Sequence, residues 1–599
     1  MFKCLISNRF HVISSKKFSC NNFIPNVELS SFVAVVVFCL GVIVSSQSFA
    51  QAENDPIKLN PTLAGFASVN ADFKISPDGK HVVYLADQNT DGVNELFHVP
   101  IEGGTPVRLN GPINGWFVRT GFQISPDSKH VVYLADQNTS NVWELFSVPI
   151  EGGTPVRLNA PLVSEGDVSQ DFRISPDSQR VIYIADQNTN QVFELFSVPI
   201  LGGSSERLNL PLIDDGESVA SSDRRAVSSF QISSDSNHVI FEADQSTDNL
   251  FELFSVPIEG GTAVLLSEPV ASGRRISIGG FKVSLDSKRV VFSANQNTRS
   301  VAELFSVPIE GGPLVQLNKA LVGAENIFED FLISSDSQHV VYTAGDDSIG
   351  WELLAVPILG GESVFLSGPS ADGKMKFLQL DTGFYRTYEI SPDSQRVTYL
   401  ANQEDAFFNV DLFSVPITGG TPIHINEPFN NLQGDPRFNN RRQVSEGYLI
   451  SPDSKHLIYR VNQNSADMFD LFSVPIDGGT PVRLNAPLVN GGGLDDVKIS
   501  ADSQQIVYSA AQNSVGMLEL FSVPISGGEP VRLNAPLTSE GDVLGFEISA
   551  DSQRIVYRAD QNIEDVFELF SVSFVGSLND DDICFPIKAQ NDKVAVICL

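Results

Sequence analysis

Short runs of alternating hydrophobic and polar residues recur along this chain as copies of one unit of about 50 residues. Residues 122–161 show the unit clearly: FQISPDSKHVVYLADQNTSNVWELFSVPIEGGTPVRLNAP. A fixed period of this length predicts a repeat fold, so the pattern inside the unit decides which fold. The Ile/Val-Ser-x-Asp cores of the ten copies begin at Ile75, Ile124, Ile174, Ile232, Val283, Ile333, Ile390, Ile450, Ile499 and Ile548.

Inside the unit, the pattern predicts four short strands and no helix. The apolar runs alternate with period two or are rich in β-branched and aromatic residues, and none keeps a helical period over ten residues. A Ser-Pro-Asp-Ser turn, a polar loop and a Gly-Gly hairpin separate the runs. Pro149 cannot donate a ladder hydrogen bond, so we expect it at the end of the third strand or at a non-pairing position. The four predicted strands, named a to d, are residues 122–124, 131–135, 144–150 and 155–158.

The two ends of the array predict how it closes. Residues 57–60 match strand d, whereas the tenth copy ends after strand c at Phe574. The first strand is therefore expected to complete the last unit, which removes the open edges of the array. The fold class is an all-β propeller of ten four-stranded blades in one ring, although ten exceeds the usual range of about four to eight blades. The alternative is two smaller propellers packed side by side.

Residues 1–52 are predicted to be a signal peptide. A basic start including Lys16 and Lys17 precedes the apolar run 32–44 and an Ala50-Gln51-Ala52 cleavage site. The run is shorter than the roughly 20 residues of a membrane-spanning helix, and the alternative is an uncleaved membrane anchor. We therefore expect a periplasmic or secreted protein without stable membrane insertion after cleavage. The propeller is assigned to residues 53–574 and a tail to residues 575–599.

The tail contains the two cysteines that remain after cleavage, Cys584 and Cys598. They flank two apolar runs around a Gln-Asn-Asp turn at residues 590–592. Two cysteines in an exported chain usually pair, so a disulfide-linked hairpin is predicted. The alternatives are free thiols or a recognition tag.

The charge balance excludes one class of partner. Without the leader the chain has 35 basic and 72 acidic residues, a net charge of −37. Such a chain repels nucleic acid and anionic lipid surfaces. We therefore expect no nucleic-acid partner, and a soluble monomer.

The Ile-Ser-Pro-Asp core followed by Glu-Leu-Phe-Ser-Val-Pro-Ile resembles the WD40-like propeller repeats of the TolB type. The same repeats occur in the propeller domains of prolyl-oligopeptidase-like proteins, and the resemblance covers roughly residues 56–574. TolB-like proteins carry a separate N-terminal domain, and the peptidases carry a hydrolase domain with a Gly-x-Ser-x-Gly elbow. This sequence shows neither feature. The resemblance implies an exported binding scaffold.

Two repeated positions invite a chemical interpretation. The turn aspartate, Asp127 in the unit above, does not fit the Asp-box spacing of sialidases and is expected to be a turn residue. Strand b opens with His or Arg in nine of the ten copies. Because equivalent positions are spread around a ring, the five histidines cannot converge on one ion. A solvated turn edge is expected for them. These histidines are His81, His130, His238, His339 and His456.

The loop between strands b and c is a weak candidate for calcium, the one cofactor considered. Asp87, Asn89, Asp91 and Glu95 offer oxygen ligands, but the spacing differs from that of an EF-hand loop. Other copies lose ligands, as at Ala511. The alternative is an ordinary polar loop, and no catalytic residue or other metal site is predicted.

The connections between strand d and the next strand a vary most, and variable loops on a rigid scaffold commonly carry binding sites. They hold arginines against an acidic background, which predicts an Arg-lined mouth for a protein or an anionic ligand. The alternative is neutralisation of neighbours such as Asp214 and Glu446. The arginines of the predicted site are Arg224, Arg225, Arg274, Arg275, Arg441 and Arg442, with Arg119 in a shorter connection of the same kind.

Two functions follow from these patterns. The first is a non-enzymatic binding or scaffold protein of the cell envelope or extracellular space, with a protein partner on the face of the d–a connections. The alternative is a propeller-type enzyme, such as a lactonase, lyase or hydrolase, with a site at the channel mouth. Strand a presents repetitive polar residues such as Lys74 and Gln123 rather than singular acids and bases. This repetition favours binding.

Overall fold

The structure is a computed structural model in which most of the repeat array is described. The predicted signal peptide lies outside the described residues. Those residues are 55–63, 67–113, 117–210, 227–245, 251–267, 276–295, 301–318, 326–346, 350–367, 388–401, 410–426, 444–445, 447–465, 468–489, 492–574, 584–589 and 593–598.

Within these ranges the chain forms ten four-stranded antiparallel sheets and one two-stranded hairpin, and no helix is present. The strand order in each sheet is a-b-c-d, and the ten sheets are the blades of a ring. The a strands of neighbouring blades contact one another, as in blades 4 and 5, so strand a is innermost. The all-β propeller predicted from the repeat is confirmed.

The strand bounds follow the repeat closely. Strands a are Val69–Ile75, Gln123–Ile124, Val168–Ile174, Val227–Ile232, Ile276–Val283, Asn326–Ile333, Tyr388–Ile390, Leu449–Ile450, Leu494–Ile499 and Val543–Ile548. Strands b are His81–Ala86, His130–Ala135, Arg180–Ala185, His238–Ala243, Arg289–Ala294, His339–Asp346, Arg396–Ala401, His456–Ser465, Gln505–Ala510 and Arg554–Ala559. Strands c are Glu95–Pro100, Glu144–Pro149, Glu194–Pro199, Glu252–Pro257, Glu303–Pro308, Gly350–Pro357, Asp411–Pro416, Met468–Pro475, Glu519–Pro524 and Glu568–Ser573. Strands d are Val107–Arg108, Val156–Arg157, Glu206–Arg207, Val264–Leu265, Val315–Gln316, Val364–Phe365, Ile423–His424, Val482–Arg483, Val531–Arg532 and, for blade 10, Ile57–Lys58.

The ring closes through its first strand, as the two ends of the array predict. Ile57 pairs with Ser571 in strand c of blade 10. The Leu59 amide donates to the Leu569 carbonyl (2.8 Å), and the Leu569 amide donates to the Asn60 side chain (2.7 Å). Blade 10 therefore obtains its outer strand from the opposite end of the sequence, and a single ring of ten blades results.

The hydrophobic core lies between blades rather than within them. One cluster joins Val83, Leu85 and Leu96 of blade 1 to Phe122 and Tyr133 of blade 2. Each of these side chains is at most 1% exposed. Phe122 of strand a and Phe146 of strand c belong to this cluster and pack the blades together, because each sheet must bury both of its faces.

The turn between strands a and b is an aspartate turn, as expected. The Ser125 hydroxyl donates to the Asp127 carboxylate (2.6 Å), and the Lys129 amide donates to the same oxygen (3.1 Å). The Asp127 amide then donates to the Ser178 hydroxyl of the next blade (3.0 Å). The equivalent bond recurs from blade to blade, so these turns tie neighbouring blades together at one end of the strands.

Pro149 ends strand c, where a missing amide costs no ladder hydrogen bond. Its carbonyl accepts from the Gly152 amide (2.9 Å), and Gly152 and Gly153 have φ values of 98° and 142°. Glycine adopts these angles without a Cβ clash, so the Val-Pro-Ile-x-Gly-Gly segment forms the c–d hairpin.

The C-terminal hairpin pairs Cys584–Ala589 with Lys593–Cys598, and Cys584 lies opposite Cys598 in the register. The predicted turn 590–592 lies outside the described residues. The disulfide stays a prediction, which this register favours because opposed residues have a Cα separation that a disulfide can span. The described residues also contain no helix with the length and hydropathy of a membrane span.

Candidate functional site

The strand order gives the ring two faces with different chemistry. The turn face carries the a–b turns and the c–d hairpins, and the loop face carries the b–c loops and the d–a connections. The predicted binding residues belong to the loop face, so its geometry decides which of them are part of the scaffold.

The first aspartate of the b–c loop is fully engaged by the backbone. In blade 3, the Asp186 carboxylate accepts from the amides of Asp167 (2.6 Å) and Gln191 (2.8 Å). Asp186 is 3% exposed. The aspartate therefore fastens the b–c loop to the incoming d–a connection, and equivalent bonds occur at Asp87 and Asp560.

The residues predicted as calcium ligands take part in the same kind of hydrogen bonds. Asp87 accepts from the amides of Ser68 (2.7 Å) and Gly92 (3.0 Å). The buried Glu95 carboxylate accepts from Asn89 (2.7 Å) and from Arg108 (2.8 Å). These oxygens satisfy donors of the protein itself, which accounts for the repeated Asp, Asn and Glu without an ion. Asp91 is exposed at the tip of the loop. Calcium binding there stays an untested prediction.

The Asn–Glu–Arg contact is a feature of the repeat. A carboxylate at the start of strand c is buried and accepts one bond from the b–c loop and one from strand d. Asn-to-Glu bonds of 2.6–2.7 Å join residues 89 and 95, 138 and 144, 188 and 194, 513 and 519, and 562 and 568. Arg-to-Glu bonds of 2.7–3.0 Å join residues 108 and 95, 157 and 144, 207 and 194, and 532 and 519.

The six arginines of the predicted site, Arg224, Arg225, Arg274, Arg275, Arg441 and Arg442, lie outside the described residues. Their role therefore stays a prediction. Arg119, in the d–a connection before blade 2, is described. Its guanidinium carbon lies 3.7 Å from the centroid of the Trp143 ring. This is a close cation–π contact on the loop face.

Phe117 extends this contact into a small platform. Its ring lies 5.4 Å from the Trp143 ring, and its side chain is 38% exposed. Trp143 is 9% exposed and holds the other two side chains in place. We name Phe117, Arg119 and Trp143 the blade 2 platform.

The platform departs from the repeat. In each blade compared, a Val at the start of strand a pairs with the Ala that ends strand b, and this pairing aligns the blades. The residue before this Val is Phe117 in blade 2, and it is Ser68, Asp167 and Asp542 in blades 1, 3 and 10. The same register places Asn70, Ser169 and Leu544 at the position of Arg119. The position of Trp143 is itself aromatic in other blades, as at Phe567, over which Arg558 packs at 3.9 Å. Because the repeated residues build the scaffold, Phe117 and Arg119 are the candidates for function. The sequence shows Arg119 in a d–a connection, but nothing in it indicates the contact with Trp143.

Carboxylates border the platform and shape its electrostatics. Burial raises the pKa of Asp167 above its usual value, and the Asp186 carboxylate adds to the rise. The Trp143 amide, which donates to Asp167 (2.8 Å), and the Arg119 charge oppose it. Burial lowers the pKa of Arg119, while Asp167 and Asp136 raise it, and an arginine in such a setting stays charged. The platform therefore presents a cation framed by acids.

The solvated edge expected for the five histidines at the start of strand b is only partly present, because all five are half-buried. The arginines at the same position are half-buried as well. Arg554 and Arg396 have side chains only 12% and 15% exposed. Arg554 donates to Ser571 of its own blade (2.8 Å) and to Glu102 of the next hairpin (2.9 Å). These side chains lie between blades, where a long cation can reach the acid that follows Val-Pro-Ile in the next copy.

His81, which opens strand b of blade 1, contacts two residues that the sequence did not predict as its partners, His98 and Glu151. His81 forms a 2.8 Å contact with His98, and its Nε2 lies 3.6 Å from the Glu151 carboxylate of blade 2. The signal in the sequence is Phe-His-Val-Pro at residues 97–100, where blade 2 has Phe-Ser-Val-Pro.

The inner strands form repeated contacts between blades. A polar side chain of one strand a donates to the carbonyl of the Phe in the next strand a. These bonds join Gln123 to Phe172 (2.6 Å), Gln231 to Phe281 (2.8 Å), Lys498 to Phe546 (2.6 Å) and Lys74 to Phe122.

No protein-family model and no curated protein matches the sequence. Among solved structures, a putative TolB from Agrobacterium tumefaciens is 18% identical and covers 41% of this chain and 79% of its own, with a TM-score of 0.25. Porphyromonas gingivalis dipeptidyl peptidase 4 is 8% identical and covers 82% of this chain and 64% of its own, with a TM-score of 0.44. An oligogalacturonate lyase in complex with manganese is 11% identical and covers 58% of this chain and 89% of its own, with a TM-score of 0.32.

A TolB-type protein is thus among the neighbours, as the repeat motif predicts. The neighbours also include enzymes, and all three TM-scores are below 0.5. They carry no argument about activity. The propeller rests on the strand pairing of this chain itself.

Proposed function

We propose that this chain is an exported, non-enzymatic β-propeller that binds a protein partner on its loop face. The blade 2 platform is the described part of the contact surface. The predicted arginines of the longer d–a connections extend the surface in the proposal. The signal peptide predicted at residues 1–52 is the basis for proposing export to the periplasm or the medium.

The observation that carries the proposal is the pair Phe117 and Arg119, which blades 1, 3 and 10 lack at these positions. Aromatic residues and arginine are enriched in protein interfaces and in their energetic hot spots. Phe117 is 38% exposed, and Trp143 holds Arg119 by a 3.7 Å cation–π contact. Such a preordered group loses little conformational entropy when a partner binds. A carboxylate of the partner would pair with the Arg119 guanidinium.

The inner strands support binding rather than catalysis. Their polar side chains recur from copy to copy, and four of them hold the carbonyl of the next blade. Groups used in this way stabilise the ring. An enzyme needs acids, bases or nucleophiles with singular environments.

Site-specific photo-crosslinking tests the proposal. A benzophenone amino acid replaces Phe117 in the full chain, which is expressed in its native host. We expect a discrete cross-linked product with one envelope or extracellular protein, because the side chain is exposed beside Arg119.

The matched control places the same amino acid at Leu201. This residue is 70% exposed on a c–d hairpin of the turn face. No product, or the same product from both positions, contradicts binding through the blade 2 platform.

A further inference from the structure

His81, His98 and Glu151 form a cluster of metal-ligating side chains on the turn face. In the part of the chain that the structure describes, they form a group whose ligand atoms all lie within 4.8 Å of one another. His81 and His98 belong to strands b and c of blade 1, and Glu151 belongs to the c–d hairpin of blade 2. The cluster lies at the opposite end of the strands from the blade 2 platform.

The geometry of the two imidazoles is close to that of a metal site. His81 Nδ1 lies 2.8 Å from His98 Nε2. Two nitrogens bound to one tetrahedral ion with bonds of about 2.0–2.1 Å are about 3.3 Å apart. The distance between the two nitrogens would therefore need to increase by only about 0.5 Å for an ion to bind between them.

His98 is the buried member of the pair. It is 3% exposed, and its Nδ1 has no hydrogen-bond partner in the structure. Its Nε2 is the nitrogen that faces His81. Neutral imidazole is the form that binds metals.

The third ligand comes from an adaptable side chain. Glu151 is 74% exposed, so its carboxylate can rotate. Its oxygen lies 3.6 Å from His81 Nε2, the ring nitrogen that does not face His98, so the carboxylate must turn toward the Nδ1 side of His81 to bind an ion held between the imidazoles. A water molecule would supply the fourth ligand. Two histidines, one carboxylate and one water suit Zn²⁺ and neighbouring borderline metals rather than Ca²⁺, which prefers oxygen ligands.

His98 makes this site differ from the rest of the repeat. The position of His98 is serine in blades 2, 3 and 4, at Ser147, Ser197 and Ser255. The hairpin position of Glu151 is glutamate in several blades, at Glu102, Glu259 and Glu310, and leucine in blade 3, at Leu201. A second imidazole and a facing carboxylate thus coincide at the junction of blades 1 and 2.

We propose that His81, His98 and Glu151 bind one Zn²⁺-class ion that links blade 1 to blade 2. This inference does not depend on the proposed partner binding. The ion would stabilise the junction of blades 1 and 2, which is next to the junction of blades 10 and 1 where the ring closes.

Zinc titration of the purified full chain tests the site, with a chromophoric chelator as competitor and with the melting temperature as a second readout. We expect one Zn²⁺ per chain and a higher melting temperature with zinc. His98→Ser installs the residue of blade 2 and should weaken zinc binding by at least about 100-fold, the upper end of the effect of losing a supporting group. The zinc-dependent rise in melting temperature should disappear with it.

His130→Arg is the matched control, because other blades carry arginine at that position, and it should bind zinc as the unaltered chain does. Glu151→Leu, with the residue of blade 3, should weaken binding even if His98→Ser folds poorly. The proposal is overturned if the unaltered chain binds no stoichiometric zinc. It is also overturned if His98→Ser and Glu151→Leu both bind zinc as tightly as the unaltered chain does.

Discussion

At the scale of single residues, the serine that ends the a–b turn of blades 2 to 10 has two roles. Ser178 has a left-handed backbone with φ of 63°, and its hydroxyl accepts from the Asp127 amide of the preceding blade. A left-handed backbone is costly for any residue except glycine. The hydrogen bond between blades offsets this cost. Blade 1 has Gly79 at the same position, with φ of 74°.

Two substitutions at Ser178 separate these roles. Ser178→Ala removes the acceptor and keeps the strained backbone, so we expect a loss of about 1–2 kcal/mol. Ser178→Gly removes the acceptor but relieves the backbone, so its loss should be smaller by about 1 kcal/mol. Melting temperatures from calorimetry provide the comparison. An equal or larger loss for glycine would show that the backbone conformation carries no cost.

At the scale of elements, the sequence predicts those features that depend on neighbours along the chain. Strands a, b and c and the Gly152–Gly153 hairpin follow from short-range alternation and turn residues. The contacts of Glu144 with Asn138 and Arg157 could not be predicted, because they form only after the b–c loop folds back on strand d. The contact of His81 with Glu151 requires the register between blades.

The aspartate turns predict how stability depends on pH. Burial alone would raise the pKa of Asp127, but hydrogen bonds from the Ser125 hydroxyl and the Lys129 amide outweigh it, and the pKa is lowered. Asp286 and Asp453 are lowered in the same way. A carboxyl with a lowered folded pKa stabilises above its unfolded pKa of about 3.9, and this contribution is lost as the pH falls through the folded value.

We therefore expect the stabilisation by Asp127 to be constant between about pH 5 and pH 7 and to decline below about pH 4. The difference in melting temperature between the unaltered chain and Asp127→Asn, measured by calorimetry at each pH, reports it. Buried His98, with its pKa lowered to about 4, adds a decline below about pH 6.5 that both chains share. A difference between the two chains that already changes near pH 6 would contradict the assignment to Asp127.

At the scale of the whole molecule, the ring depends on a short N-terminal strand. Leu59 is 1% exposed in the cluster that joins blade 10 to blade 1, and Lys58 forms an ion pair with Glu568. The ten copies and the matching ends predicted this closure, because both are visible in the sequence. The blade 2 platform was not predicted, because residues 117 and 143 lie on different elements that meet only in the folded blade.

Removal of this strand tests its contribution. A chain that begins at Thr62 leaves strand c of blade 10 with an unpaired edge, whereas a chain that begins at Pro56 keeps Ile57–Lys58. We expect a lower melting temperature and self-association for the shorter chain, because an open strand edge pairs with other chains. Calorimetry and light scattering compare the two. Identical behaviour would mean that the N-terminal strand contributes nothing to closure.

The most direct test of the account concerns the surface that departs from the repeat. The dissociation constant of the cross-linked partner is measured for the unaltered chain and for Phe117→Ser with Arg119→Asn, the residues that blade 1 carries. Loss of a hot spot of about 2 kcal/mol predicts a dissociation constant roughly 30-fold higher. Lys129→Asn, which removes a 73% exposed cation from the turn face of the same blade, should leave it unchanged. An unchanged constant for the double variant would contradict binding through the blade 2 platform.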